Sequence, residues 1–183
     1  VNMMEIEKWL NDVLEKKNKR AMPIITFPAA TKLNISVKKL INDTDQQVAA
    51  LKIIKEECNP LAILGFMDLS VEAECFGAEI KVTDNEVPTV VGQLIEDEDD
   101  AQALKVPAVG SGRSQLYIDA IKKTKAEIKD IPILGGCIGP FSLAGRLMDV
   151  SEAMINCYEE PEMVHIVLEK ATKFLIDYIS AYK

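Results

Sequence analysis

Aromatic residues make up only 5% of this 183-residue chain, histidine occurs once, and no Cys-x-x-Cys pair is present. Each scarcity excludes something. The sole histidine, His165, stands apart in sequence from Cys58, Cys75, Cys137 and Cys157, so no metal-binding spacing is written into the chain, although ligands could still converge in space. The irregularly placed cysteines read as reduced thiols of a cytoplasmic protein. No apolar run approaches the roughly 18 residues of a membrane span. The first segment, VNMMEIEKWLNDVLEKKNKR, mixes charged with apolar residues and lacks the basic-then-apolar order of a targeting signal. Bases are outnumbered, 21 against 29 acids, for a net charge of -8, which leaves no basic patch for nucleic acid. What is plentiful is apolar: 48% of residues are hydrophobic, enough for a core, and the length suits a single domain over 1–183.

The apolar residues are arranged in alternating segment types. Ile6, Trp9, Leu10, Val13 and Leu14 have helical spacing and form an N-terminal helix within 1–20. Three short apolar runs read as strands: Met22–Phe27, Leu61–Met67 and Ile131–Ile138. Each is followed by a helical pattern. Thr44 and Gln47 have capping-box spacing ahead of a helix reaching Cys58, and the Leu116, Tyr117, Ala120, Ile121, Thr124 and Ile128 stripe predicts a helix over 114–129. Pro140 opens another helix, Ser151 is placed to cap a short one through Tyr158, and Pro161 begins the last. Between them, Val71–Cys75 suggests a short helix ending at Gly77, and Glu79–Val82 a surface hairpin strand. The acidic run Glu96–Asp100 suits a solvated loop or the first turn of a helix.

Strand and helix repeated three times behind a first helix is the signature of a parallel sheet of β/α units. A doubly wound sheet fits, and so does a (β/α) barrel. A full barrel needs about 250 residues, so the three units here would be its front part.

Two places can carry chemistry. Gly135-Gly136-Cys137-Ile138-Gly139 joins a strand to a helix N-terminus but has neither of the phosphate-loop spacings, so its glycines are expected to let a ligand or another backbone approach. Asp68, Glu72 and Glu74 follow the second strand, at the carboxyl end where β/α folds bind ligands. Asp68 could instead cap the helix that follows. Glu72 and Glu74, two apart, must diverge on a helix.

The segments FMDLSVEAECFGAEIKVTD and GGCIGPFSLAGRLM resemble the uroporphyrinogen decarboxylase superfamily, in particular its methylcobamide:coenzyme M methyltransferase branch. The loop from Leu104 through Arg113 is similar as well. The resemblance implies an α/β fold, the N-terminal portion of a (β/α)8 TIM barrel about 350 residues long when whole. It implies Asp68 as the catalytic residue, with Phe27, Glu72, Cys137 and Gly139 on the substrate side. In the decarboxylases the matching aspartate holds the pyrrole N–H groups of a porphyrinogen. In the methyltransferases a zinc ion binds coenzyme M as a thiolate that takes a methyl group from a methylated corrinoid, carried by a partner corrinoid protein or supplied as methylcobalamin. The family's zinc ligands, a His-x-Cys element and a later cysteine, have no counterpart here.

One departure separates the branches. Thr26-Phe27-Pro28-Ala29-Ala30-Thr31 contains no arginine where the decarboxylases grip substrate carboxylates, and an octa-anionic substrate suits a chain of net charge -8 badly. The expected function is therefore methyl transfer to a small thiol such as coenzyme M. Uroporphyrinogen decarboxylation, or a noncatalytic half-barrel that self-associates as a homo-oligomer through open sheet edges, is the alternative. Asp68→Ala is expected to reduce turnover more than it disturbs folding.

Overall fold

The computed structural model describes residues 3–183, with side chains from residue 6 onward. Helix α1 (Met3–Glu15) is followed by an extended stretch and then by α2 (Ala29–Leu33), α3 (Val37–Ile41) and α4 (Thr44–Cys58). Strand β1 (Ile63–Leu64) leads into α5 (Val71–Phe76), and β2 (Glu79–Lys81) pairs antiparallel with β3 (Thr89–Val91). Then come α6 (Glu98–Ala103), α7 (Ser114–Glu127), β4 (Ile133–Leu134), α8 (Pro140–Met148), α9 (Val150–Glu159) and α10 (Pro161–Ala181).

The parallel pairing is real but short. β1 lies beside β4 with Ile63 opposite Ile133 and Leu64 opposite Leu134. Ile63 N donates to Pro132 O at 2.9 Å and Gly65 N to Leu134 O at 2.8 Å. Pro132 has no N–H to extend the ladder at its start, and Gly135-Gly136 follow at once, so the apolar run 131–138 yields two paired residues rather than eight.

The run Met22–Phe27 is not a strand. Ala21 O accepts from Leu61 N at 2.8 Å, but no ladder follows, and Phe27 already belongs to the turn ahead of α2. Pro23 removes a donor, and Met22, Ile24 and Ile25 are exposed, so nothing rewards pairing there. Pro28 ends that run and also sits at the N-cap of α2.

Caps differ from the sequence reading in an instructive way. Asp43, not Thr44, caps α4, accepting from the backbone N–H groups of Asp45 and Gln46. Lys39, hydrogen-bonded to Asp43 at 2.7 Å, and these backbone donors hold its carboxyl below the ordinary range, so the cap is an anion at the positive end of the helix. That frees the Thr44 hydroxyl to donate to Leu116 O on α7, and Gln47 is buried between helices. Likewise Asp149 rather than Ser151 caps α9, accepting from Ser151 N at 2.8 Å. The acidic run becomes the cap and first turn of α6, with Asp97 accepting from Asp100 N. Gly77 closes α5 as expected, at φ +100 where a side chain would be strained.

Two apolar clusters form the core. One gathers α2, α3, α4 and β1 with Phe66, Tyr117 and Ile128. The other joins α5, α6, α8, α9 and α10 around Phe174, Leu143 and Leu147. Neighbouring residues of α7, Tyr117 and Ile118, enter different clusters, so α7 is the seam between them. Ile6 and Trp9 of α1 line a cavity with Ile128, Pro132 and Leu134, at the end of β4 away from Asp68.

Candidate functional site

Asp68 lies four residues beyond β1, on the seam between the clusters, and its side chain is wholly buried. A carboxylate there is tolerable only with every oxygen lone pair engaged. Asp68 Oδ1 accepts from Ser70 N at 3.1 Å and from Ser70 Oγ at 2.6 Å. Asp68 Oδ2 accepts from Tyr117 Oη at 2.7 Å and pairs with Arg113 Nη1. Arg113 then spreads the charge: Nη2 donates to Ser70 Oγ at 2.9 Å, and Nε pairs with Glu74 Oε2 at 2.7 Å. Burial is the largest single influence and pulls the guanidinium pKa down, but the charge and hydrogen bond of Asp68, joined by Tyr117 and Glu74, together outweigh it and the net shift is upward. Burial also pushes the Tyr117 phenol well up, with the adjacent carboxylate acting in the same direction, so Tyr117 stays a proton donor.

Arg113 is delivered by the turn 110–114. Gly110 N donates to Ser114 Oγ, Ser114 Oγ donates to Ser111 O at 2.6 Å, and Gly112 has φ +53. A Cβ on Gly112 would stand 3.3 Å from Glu74 Cγ, so glycine both permits the left-handed backbone and leaves room for the carboxylate that binds Arg113.

Glu72 and Glu74 diverge, as their spacing requires. Glu74 reaches Arg113, whereas Glu72 points to the strand-to-helix turn and accepts from Ile138 N at 3.0 Å. Glu72 is buried, and its Oε2 has no hydrogen-bond partner among the described residues. Burial raises its pKa from the ordinary 4.5, with the Asp68 charge adding to the shift. Below 4.5 both folded and unfolded chains are protonated there. Above it the unfolded chain ionises first, so Glu72 lowers stability as pH rises from about 4.5 through its higher folded pKa. Glu72→Gln keeps the acceptor for Ile138 N, and urea titrations from pH 4.5 to pH 8 are expected to show a flatter stability profile than wild type. An unchanged slope would mean that Glu72 ionises freely in the folded chain.

The other residues singled out in the sequence are placed unequally. Cys137 is half-buried near Glu72, and burial pushes its thiol pKa up, away from the thiolate. Phe27 meets Phe66 edge-on at 5.6 Å, and Phe66 meets Tyr117 at 6.5 Å, so Phe27 supports the Asp68 network through two rings. Gly139 is exposed at the N-cap of α8, with open space where a Cβ would stand. At Gly135 the close neighbour is the ring of Tyr182, 2.6 Å from an added Cβ, and at Gly136 it is Met67 Sδ at 3.1 Å. The glycines of this turn therefore admit side chains of this chain itself. Zinc, which the family resemblance implies, does not fit: among the described residues no three His, Cys, Asp or Glu side chains converge.

Sequence reasoning missed Arg113 and Tyr117 as members of the site. A signal was present, since Arg20, Arg113 and Arg146 are the only arginines in the chain and Arg113 follows Gly-Ser-Gly. An isolated arginine in an acidic protein at a glycine turn points to a specific carboxylate.

Parts of this sequence are similar to known proteins. The chain is 33% identical over 117 residues to "Methylcobamide:CoM methyltransferase MtbA" of Methanosarcina acetivorans, an alignment covering 62% of this chain and 34% of that relative. It is 26% identical over 124 residues to a "Uroporphyrinogen decarboxylase" of Hydrogenobaculum sp., covering 64% and 34%. Among solved structures it superposes on a "methyltransferase from Methanosarcina mazei" with a TM-score of 0.80 at 22% identity, covering 91% of this chain and 51% of the other. The likeness to that structure is one of α/β fold. The chain thus spans about a third of the length of the curated relatives it matches and about half of the solved structure. The model of the Uroporphyrinogen decarboxylase (URO-D) family matches residues 18–182, and the chain belongs to that family.

Proposed function

We propose that the chain is the N-terminal portion of a (β/α)8 barrel that transfers a methyl group from a methylated corrinoid, held by a partner protein, to a small thiol. The observation that carries this reading is the saturation of Asp68. Ser70 N, Ser70 Oγ, Tyr117 Oη and Arg113 fill its two oxygens, which leaves no lone pair for the pyrrole N–H groups that a porphyrinogen would present. The nearest arginine is likewise committed to Asp68 and Glu74 rather than free for substrate carboxylates. The 33% identity to a methylcobamide:coenzyme M methyltransferase points the same way.

In this reading a bound methylated corrinoid would supply the methyl group, and a small thiolate would supply the electron pair of the new carbon–sulfur bond. The residues of this chain hold the surroundings of that event. Asp68 is a positioning residue that fixes Arg113 and Ser70 at the strand end, and Glu72 fixes the backbone of the 135–139 turn. The high thiol pKa values of Cys75 and Cys137, both raised by burial, keep these cysteines from competing as nucleophiles.

The test is an assay of the whole protein with methylcobalamin and coenzyme M, in which methyl transfer is followed by the change in cobalamin absorbance. Thiol-dependent demethylation is the expected result. Conversion of uroporphyrinogen to a less carboxylated product, with no demethylation of methylcobalamin, would replace the proposal by the decarboxylase reading.

A further inference from the structure

The carboxyl of Glu72 is only half satisfied. Oε1 accepts from Ile138 N at 3.0 Å, while Oε2, in a residue 3% exposed, meets no donor among the described residues. A buried polar atom in that position calls for a partner or a water. Two hydroxyls are packed into the same cluster. Ala73 and Ile138, which flank the Glu72 carboxyl along α5 and across its hydrogen bond, share that cluster with Tyr178, and Tyr182 and Cys137 pack against it.

The two tyrosines come from the last turn of α10. Tyr182 Oη donates to Tyr178 Oη at 2.7 Å, with ring centroids 5.0 Å apart, and the Tyr178 proton has no acceptor among the described residues. Tyr178 is 1% exposed and stacked on Phe174. Tyr182 is held far less firmly. It is partly exposed, it forms the C-cap of α10, and its ring lies over Gly135, where an added Cβ would stand 2.6 Å away. Glycine at 135 is what lets this ring close over the strand end.

Charges face Glu72 from each neighbouring element. Asp68, ahead of α5, opposes its ionised form, and Arg146 on α8 favours it. Cys75 of α5, Cys137 of the turn, Tyr178 and Tyr182 are all kept neutral by burial, which raises their pKa values. Arg113, in the turn before α7, is taken up by Asp68 and Glu74. His165 is exposed on the first turns of α10, at the other end of that helix from Tyr178.

We infer that Glu72 and the Tyr178–Tyr182 pair form a proton-linked latch on the 135–139 turn, closed while the Glu72 carboxyl is neutral and opened at Tyr182 when it ionises. A neutral carboxyl tolerates burial, but a carboxylate needs donors or water at Oε2. Of the groups around it, Tyr182 yields at least cost. Swinging it aside breaks one neutral hydrogen bond at a helix end, where local opening is easiest, whereas moving Tyr178 or Ile138 breaches the core. Opening brings water to Glu72 and Cys137 and uncovers the glycines that lead into α8. The latch requires neither a methyl donor nor a thiol, so it stands or falls apart from the methyl-transfer reading.

NMR of the full chain, labelled with 13C at glutamate carboxyls and tyrosine rings, tests the latch. The Tyr182 ring signal, identified by its loss in Tyr182→Phe, is expected to shift with pH along the same curve as the Glu72 carboxyl, with a midpoint above the ordinary 4.5. Glu72→Gln should abolish that component of the Tyr182 curve. Linkage demands the reverse as well: if ionisation opens the latch, opening the latch eases ionisation. Tyr182→Ala removes the cover at a partly exposed helix end and should lower the Glu72 midpoint by about one pH unit, a tenfold change in its ionisation constant. Gly135→Ala, whose methyl displaces the ring, should act in the same direction. A Glu72 midpoint equal in wild type and Tyr182→Ala, or a Tyr182 signal that stays fixed while Glu72 titrates, would overturn the latch.

Discussion

Asp68→Ala is expected to destabilise the chain by about 3 kcal/mol, the lower end of the range for breaking a buried ion pair. The sequence suggested a substitution that reduces turnover more than it disturbs folding, and the burial of the pair adds a cost in stability. The Asp68 side chain is fully buried and Arg113 is 8% exposed, so the alanine variant leaves a guanidinium in the interior with Glu74 and Ser70 as its remaining partners. Those two partners keep the cost from reaching the upper end. Arg113→Met leaves the complementary problem, a buried carboxylate held by Ser70 and Tyr117. The double variant removes both charges, so its loss should fall short of the sum of the single losses by about 1–3 kcal/mol. Urea denaturation of the four proteins completes the cycle. Additive losses would mean that the two groups do not act as a pair, and the network could not be the positioning device proposed above.

Phe174→Ala is expected to cost about 3–5 kcal/mol, because it empties a large, fully buried site. Phe174 stands edge-on to Phe76 of α5 at 5.4 Å and stacks on Tyr178 at 5.7 Å. It therefore ties the longest helix, α10, to the short helix that carries Glu72 and Glu74. At this chain length the loss corresponds to a fall of about 10 °C in Tm, measurable by calorimetry. Phe174→Leu keeps most of the volume and should cost under about 2 kcal/mol. A Phe174→Ala variant that melts with wild type would show that α10 does not share a cooperative core with α5.

Helices were legible in the sequence wherever apolar residues kept a 3.6-residue period over several turns, as in Val164, Val167, Ala171, Leu175 and Tyr178 of α10. Short helices were not: α2 and α3 contain five residues each, too few to show a period. The apolar runs are longer than the strands they form. An apolar run announces burial, but a ladder also needs a neighbour, and Met22–Phe27 has none along its length. Caps misled because Asp43 and Thr44, or Asp149 and Ser151, offer equivalent local chemistry, and only the demand of Leu116 O for a donor assigns the Thr44 hydroxyl elsewhere.

By itself the sequence determined the class of fold, the position of Asp68 at a strand end and the helix stop at Gly77, all properties of neighbouring residues. Only the tertiary structure decided what Asp68 is bonded to. Arg113 and Tyr117 lie 45 and 49 residues away, and their approach depends on the α7 seam and the Gly112 turn, which no local period encodes. The same holds for Arg146, whose spacing on α8 is that of any helical residue.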